Sequence, residues 1–421
     1  MERHSRVIAT CLLFSIGQIG LSASAQAGFF EDSKASVELR NFYINRDYSQ
    51  ASTTQSKQEE WAQGFLLRYA SGFTAGSVGF GLDAIGLAGL KLDSSHDRAG
   101  SGLLPRQRDG RSVDESGALG LTAKVRASKS LLRIGTLHPR LPVVQFNDTR
   151  LLPQTFEGVH LNSQEFANVT VDAGQIRQVT QRDSTNREDL TPSVANAKGI
   201  RVTKGATTDE FNFAGVGYKW SNQLSGNYFY GELDSFYRQH NFSLLHLLPL
   251  GEGQSLKSDV RYARSTNQGN SNIDNTALAA MLTYTLGGHA FGLAYQKMSG
   301  DTGYAYIHGA DAFLPNFVSN NDFANRDEQS WQARYDFNFT AIGIPGLTFM
   351  TRYLYGSGIE LGAGKPTGSE WERDTDIAYV FQSGTLKNLG VKWRNSSLRM
   401  NHFGSDLDDN RLIVSYTLPL L

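Results

Sequence analysis

The chain has 421 residues, of which 40 are Lys or Arg and 41 are Asp or Glu, so its formal net charge is −1. This balance excludes the global basic field of a nucleic-acid-binding protein. The only cysteine, Cys11, lies near the N-terminus, so the rest of the chain offers neither a disulfide nor a thiolate for catalysis or metal binding.

Residues 1–27 have the organisation of a secretory signal peptide. Arg3 and Arg6 give a positive start, a mostly apolar run extends to about Leu21, and Ala25-Gln26-Ala27 offers a cleavage site. The apolar run is short and interrupted by polar residues, which argues against a membrane-spanning helix. We therefore expect residues 28–421 to form a single domain.

Beyond this segment the dominant signal is a two-residue alternation of apolar and polar side chains. At 331–339, for example, Trp, Ala, Tyr, Phe and Phe alternate with Gln, Arg, Asp and Asn. Such alternation predicts strands with one apolar and one polar face. The polar faces carry charges on strand after strand, and the apolar faces often end in Trp or Tyr. Both features favour a transmembrane β-barrel with aromatic girdles over a soluble sandwich.

The pattern predicts eighteen strands joined alternately by long and short connections. The predicted strands cover 34–45, 58–71, 76–92, 117–128, 130–137, 156–164, 167–178, 209–220, 223–232, 236–248, 254–265, 275–286, 289–299, 328–340, 346–356, 370–382, 386–399 and 410–420. The longer joins include 93–116, 179–208, 300–327 and 357–369. An even count with both ends on the short-turn side is typical of outer-membrane barrels. We therefore predict an all-β, antiparallel transmembrane barrel in the outer membrane of a Gram-negative cell.

One segment, 138–155, fits neither a strand nor a solvated loop. Pro139, Pro142 and Pro153 exclude it from the middle of a sheet, while its Leu, Val and Phe residues are too apolar for an exposed loop. We predict that it folds into the barrel lumen as a constriction loop. Its polar tip, Asn147, Asp148 and Arg150, would then display hydrogen-bonding groups to a passing solute.

The long outer loop 300–327 is predicted to face the same opening. Tyr304, Tyr306 and Asp311 lie among its aromatic residues, and a tyrosine hydroxyl opposite a row of arginines could grip a flat carboxylate. The alternative is that the tyrosines pack loop against loop and that Asp148 pairs with Arg140 or Arg150.

A set of cations falls on the polar, lumen-facing side of the predicted strands: Arg40, Arg68, Lys124, Arg126, Arg133, Lys257, Arg261, Arg334, Arg352, Lys392, Arg394 and Arg411. Closure of the barrel would bring the first and last strands together and could join these residues into one stripe. Since Arg binds carboxylates bidentately, such a stripe would pass an anion along the pore. Inward aspartates could instead neutralise many of these cations, as Asp336 could for Arg334.

Four segments resemble the substrate-specific OprD-like porins of pseudomonads. They are GFFEDSKASVELRNFYINRDY (28–48), RLPVVQFNDTRLLPQTFEGV (140–159), YRQHNFSLLHLLPLGEGQSLKSDVRYA (237–263) and NDFANRDEQSWQARYDFNF (321–339). The resemblance implies an eighteen-stranded barrel that takes up small carboxylates past inward-folded loops, along a file of lumenal cations called the basic ladder. The ladder maps best onto Lys392, Arg394 and Arg411, with Arg68, Arg126, Arg133 and Arg352 as further members.

We expect a passive, substrate-selective channel that needs no cofactor and no metal. The sequence has no G-x-S-x-G motif, and Gly362-Ala363-Gly364-Lys365 lacks the spacing of a phosphate loop. The resemblance favours small organic carboxylates, in particular aromatic acids such as benzoate or vanillate. A channel for basic amino acids or small peptides, a less selective porin and, more remotely, a barrel hydrolase remain alternatives. Expected partners are the carboxylate solutes and outer-membrane lipid, including lipopolysaccharide, but no nucleic acid; the chain would be a monomer or a weak homo-trimer.

Overall fold

The computed structural model describes residues 28–49 and 55–421, so the predicted signal peptide lies outside the described residues. The strands in this part of the chain are β1 (Lys34–Tyr48), β2 (Lys57–Ala70), β3 (Val78–Ser94), β4 (Glu115–Ala127), β5 (Ser130–Leu137), β6 (Arg140–Leu141), β7 (Val144–Gln145), β8 (Thr155–Ser163), β9 (Val169–Thr180), β10 (Phe211–Lys219), β11 (Leu224–Leu233), β12 (Tyr237–Gly251), β13 (Gln254–Asn267), β14 (Asp274–Leu286), β15 (His289–Ser299), β16 (Gln329–Asn338), β17 (Leu347–Ile359), β18 (Gly368–Val380), β19 (Gly390–Asn401) and β20 (Leu407–Pro419). A 3₁₀ turn, Phe339–Ile342, joins β16 to β17.

Within the described residues, eighteen of these strands form one closed antiparallel sheet. The sheet closes where β20 returns to β1, with a register that runs from Ser36 opposite Pro419 to Tyr48 opposite Leu407. Closure pairs every strand on both sides and leaves no sheet edge exposed. The predicted eighteen-stranded transmembrane barrel is confirmed, and the small hairpin of β6 and β7 lies outside the barrel sheet.

The two faces of the barrel wall differ in polarity as the alternation predicts. Apolar side chains such as Leu293, Trp331 and Trp393 point outward and are exposed on the barrel surface. Their sequence neighbours Gln332 and Arg394 therefore point into the lumen, because successive side chains of a strand face opposite ways. None of the described helical segments is long and apolar enough to cross a membrane.

The connections at the two ends of the barrel differ in length. The start of β1, the end of β20 and tight turns, such as the one between β14 and β15, share one end of the barrel, while the other end carries the long loops 95–114, 138–154, 181–210 and 300–328. The alternation is less regular than predicted, because the outer joins 234–236 and 268–273 are short. Loop 181–210 lies across the second of these joins, where Val202 bridges to Ser271.

Gly135 on β5 allows the close approach of neighbouring strands in the barrel wall to be tested. Its φ is +125°, and a Cβ atom there would lie 2.1 Å from the carbonyl oxygen of Leu121. G135A is expected to lower the free energy of unfolding by more than about 2 kcal/mol, since positive φ alone costs roughly 1–2 kcal/mol and the backbone clash adds to it. Denaturant unfolding in lipid vesicles, followed by tryptophan fluorescence, measures this change.

The matched control is G205A, because Gly205 has a φ of +75° but no atom within 4 Å of a Cβ. It isolates the cost of the backbone conformation. Equal losses of stability in the two variants would contradict the role of close strand approach at Gly135.

Candidate functional site: the lumenal constriction

The constriction loop 138–154 lies against the inner wall of the barrel. Leu151 packs in a buried apolar cluster with Phe42 and Ile44 of β1, whose side chains point into the lumen. At its other end, Leu141 and Val143 belong to a larger buried cluster formed with residues of several strands. Burial of these apolar side chains offsets the cost of placing a proline-rich loop inside the barrel.

Loop 300–328 meets the constriction loop inside the lumen. The backbone N–H of Asp311 donates to the carbonyl oxygen of Gln145 at 2.9 Å. Further along, the buried ammonium of Lys198, from loop 181–210, pairs with Asp322, which also accepts from the hydroxyl of Tyr306 at 2.8 Å. Three outer loops are thus fastened to one another.

Four guanidinium groups converge where these loops meet the wall; we call Arg46, Arg150, Arg182 and Arg411 the arginine cluster. Arg46 and Arg411 come from β1 and β20, next to each other at barrel closure, and share the carboxylate of Asp409 at 3.3 and 2.8 Å. Arg150 projects from the constriction loop. Arg182 follows β9 and donates to Asn147 Oδ1 at 3.0 Å and Thr149 Oγ1 at 2.6 Å.

Within the described residues, Arg46 and Arg411 share the single carboxylate of Asp409, and neither Arg150 nor Arg182 has an ion pair. Arg150 is buried and donates only to the backbone carbonyls of Ser101 (3.3 Å) and Thr149 (3.0 Å), with no ion pair among the described residues. Burial, reinforced by the charges of Arg411 and Arg182, lowers the pKa of Arg150 well below its ordinary value. Burial likewise lowers the pKa of Arg182. Because an uncompensated buried cation is costly, an anion entering this site would be stabilised.

Asp311 introduces a titratable charge beside the cluster. Its side chain is mostly buried, and its Oδ1 atom has no hydrogen-bond partner in the described structure. Burial raises the pKa of Asp311 to about 7, while Arg182 and Arg140 act in the opposite direction. The net charge at the constriction therefore changes near neutral pH.

Cations of the last strands lie in the lumen but are paired. Lys392 and Arg394 share Asp376 at 3.0 and 2.6 Å. Arg352 pairs with Asp374 at 2.7 Å, and Arg394 lies opposite Arg411 in the register of β19 and β20. These side chains form a continuous polar network in which each cation has a carboxylate.

Cations of the early strands lie around a second space, a cavity of about 920 Å³ lined by Arg68, Arg133, His138, Arg140 and residues near the C-terminus. Arg68 pairs with Glu38 at 3.0 Å, whereas Arg133 makes no ion pair with any described residue. Lys124 pairs with Asp83, and Arg126 lies 4.3 Å above the ring of Phe73. The proposed ladder residues therefore fall into two groups, one on the last strands and one on the early strands.

The predicted constriction residues occupy different environments. Asn147 lies at the arginine cluster, and Asp148 pairs with Arg40 of β1 at 2.7 Å rather than with Arg140 or Arg150. Tyr304 is buried in an apolar cluster with Met298 and Leu314, so its ring packs between loop and wall. Tyr306 lies at the junction between loops 181–210 and 300–328, where its ring is 4.2 Å from the Lys198 ammonium. Neither tyrosine reaches the arginine cluster.

Two members of the arginine cluster, Arg46 and Arg182, were not among the predicted site residues. Arg46 follows the alternation of β1 and lies one residue beyond the predicted end of that strand, so a longer strand would have placed it in the lumen. Arg182 stands two residues after β9 in a polar loop with no periodic pattern. Only its tertiary contacts with Asn147 and Thr149 reveal its position.

Comparison with known proteins places this architecture in a family. Residues 27–420 match the family described as outer membrane porin, OprD family. The chain is 39% identical over 402 residues to the porin-like protein GalP of Pseudomonas putida, covering 94% of each chain.

Two crystal structures are also similar. OpdQ of Pseudomonas aeruginosa is 59% identical, with a TM-score of 0.87 over 94% of this chain and 100% of that one. A BenF-like porin of Pseudomonas fluorescens Pf-5 is 38% identical, with a TM-score of 0.89 over 93% of this chain and 100% of that one. The chain therefore belongs to the OprD family of outer membrane porins, and it is a channel of the Gram-negative outer membrane rather than an enzyme.

Proposed function

We propose that this porin takes up small organic carboxylates by binding the carboxylate group at the arginine cluster, with aromatic acids such as benzoate or vanillate as preferred solutes. The observation that carries the proposal is the buried, unpaired guanidinium of Arg150 beside Arg182. A carboxylate accepts parallel hydrogen bonds from a guanidinium and would neutralise the uncompensated charge. Transport is passive, so the site must release the anion as readily as it binds it.

Aromatic side chains beside the cations support the aromatic preference. Half-buried Phe146 on the constriction loop lies 4.4 Å from the guanidinium of Arg140. Phe313 on loop 300–328 lies 3.9 Å from that of Arg261. Such surfaces accommodate a flat ring while the carboxylate engages arginine.

The remaining ladder cations would bind the anion at other positions along the pore. We propose that Lys392, Arg394 and Arg352 attract it in competition with their own aspartates, and that Arg133 and Arg68 receive it in the 920 Å³ cavity. Binding shared over several partly neutralised sites keeps each site weak enough to permit passage.

Current block in a planar bilayer tests the preference among solutes. We expect benzoate to block the open channel at lower concentration than arginine does, because the cluster attracts a carboxylate and repels a guanidinium. Stronger block by arginine would overturn the carboxylate assignment and favour the basic amino acid alternative. Equal weak block by both would indicate a less selective porin.

The pKa of Asp311 predicts a pH dependence. Below about pH 7 the carboxyl is neutral and the constriction is more positive, so anion selectivity should be higher at pH 6 than at pH 8. D311N should show the same selectivity at both pH values, close to that of the wild type at pH 6. Reversal potentials at the two pH values measure this. A pH dependence that persists in D311N would contradict the assignment.

A further inference from the structure

A further cationic space, distinct from the arginine cluster and from the 920 Å³ cavity, lies at the outer end of the barrel. This rim pocket has a volume of about 340 Å³, and its polar lining includes Arg201, Arg326, Glu360, Gly362, Lys365 and His402. The Gly362-Ala363-Gly364-Lys365 segment, which lacks the spacing of a phosphate loop, forms a turn here in which Lys365 N–H donates to the Gly362 carbonyl at 3.1 Å.

Four loops bring these residues together: Arg201 comes from loop 181–210, and the others lie close to the ends of strands. Arg326 precedes β16 by three residues, Glu360 directly follows β17, and His402 directly follows β19. The loops are joined through their backbones, because Arg326 N–H donates to the Ala197 carbonyl at 3.3 Å and Glu360 N–H donates to the Arg326 carbonyl at 3.1 Å. The pocket is therefore part of the folded rim.

Aromatic residues on β16, β17 and β18 show where the pocket lies along the barrel axis. Trp331 of β16 pairs with Tyr355 of β17, which pairs in turn with Trp371 of β18. Outward-facing Trp and Tyr at strand ends mark the membrane–water interface. The rim pocket lies a few residues beyond them, where lipid phosphate groups and external solutes are both within reach.

The cations of the rim pocket have unused hydrogen-bonding capacity. Arg201 and Lys365 are exposed and have no ion pair among the described residues. The Nε atom of Arg326 has no hydrogen-bond partner there, and its nearest carboxylate oxygen, on Asp327, is 3.8 Å away.

The acidic and imidazole groups of the lining already have partners. Glu360 accepts from the Gly362 N–H at 2.6 Å. The Nδ1 atom of His402 lies 3.0 Å from the carbonyl oxygen of Thr367, so the imidazole must donate through Nδ1. Its Nε2 atom is left for a ligand and becomes a second donor on protonation.

We propose that the rim pocket binds a phosphate-type oxyanion, held by Arg201, Arg326 and Lys365. A phosphoryl group offers three acceptor oxygens and up to two negative charges, which matches three cations converging from separate loops. The phosphoryl group belongs either to an outer-leaflet lipid, as in lipopolysaccharide, or to a free phosphate compound. The site is separate from the arginine cluster and does not depend on the solute that the pore carries.

The test uses the purified full-length porin in detergent with three probes: inorganic phosphate, lipopolysaccharide carrying its phosphate groups, and the same lipopolysaccharide dephosphorylated. Binding is compared between wild type, R201Q/K365Q and the control K219Q/K387Q. The control removes the same charge from exposed lysines, Lys219 at the end of β10 and Lys387 in the turn between β18 and β19, both at the opposite end of the barrel. An unchanged channel conductance shows that each variant is folded.

We expect R201Q/K365Q to weaken binding at least about tenfold, since a hydrogen bond to a charged group contributes about 1.5–3 kcal/mol and 1.4 kcal/mol is tenfold. The control should bind as the wild type does. If inorganic phosphate binds in this way, the source is a free anion; if only phosphorylated lipopolysaccharide does, the source is lipid. The proposal would be overturned if none of the probes bound, or if every probe bound equally well to the wild type and to R201Q/K365Q.

Discussion

Replacing Arg150 and Arg182 together by Gln is expected to weaken benzoate block of the channel by about a hundredfold. Each guanidinium would contribute roughly 1.5 kcal/mol through a charge-assisted hydrogen bond, and 1.4 kcal/mol corresponds to tenfold in affinity. The side chains of both residues lie at the constriction, where Arg150 has no carboxylate partner in the described structure. Concentration-dependent block of single channels measures the change.

Measuring the stability of the double variant distinguishes weaker benzoate binding from misfolding. Because Arg150 is buried without a counter-charge, the double variant should unfold at the same denaturant concentration as the wild type or at a higher one. R177Q is the matched control, since Arg177 pairs with Asp209 on the exposed outer face of the barrel. The control should leave block unchanged. Unaltered benzoate block in R150Q/R182Q would exclude the arginine cluster as the carboxylate site.

Breaking the Lys198–Asp322 pair is expected to open the constriction. Both side chains are almost fully buried between loops 181–210 and 300–328, and K198M would leave the Asp322 carboxylate without its cation. Loss of one partner of a buried ion pair costs about 3–5 kcal/mol. We expect loop 300–328 to detach in this variant, giving a larger single-channel conductance and new protease cleavage within the loop.

The double variant K198M/D322L tests whether charge imbalance is the cause. Replacing a buried pair by apolar residues is often neutral, so K198M/D322L should recover most of the wild-type conductance and protease resistance. R177M, which breaks the exposed Arg177–Asp209 pair, should change neither property. If the single and double variants behave alike, the pair does not hold the loops.

The barrel was predictable because the alternation of apolar and polar residues can be recognised within each strand separately. The alternation around Trp331 and Trp393 identifies which side chains face outward, and the count of such segments gives the number of strands. The apolar, proline-rich composition of 138–155 similarly indicates a loop that must be buried. These are local properties, and they survive in the fold because one face of every strand contacts an apolar environment.

The constriction was less predictable because it depends on contacts between distant segments. Nothing in the sequence around Arg182 distinguishes it from other loop arginines, and its role follows from contacts with Asn147 and Thr149. Tyr304 carries a hydroxyl group that could line the pore, but its side chain packs into an apolar cluster. Local sequence indicates which residues could bind a carboxylate, whereas the path of each loop decides which of them reach the pore.

The ion selectivity of the wild-type channel is the most direct test of carboxylate uptake through this constriction. Single channels are recorded in a planar bilayer with a tenfold KCl gradient across the membrane, and the reversal potential is measured. The guanidinium groups of Arg150 and Arg182, which have no ion pair among the described residues, predict a reversal potential close to the chloride equilibrium potential. A reversal potential near that of potassium, or a channel that never conducts, would contradict the account.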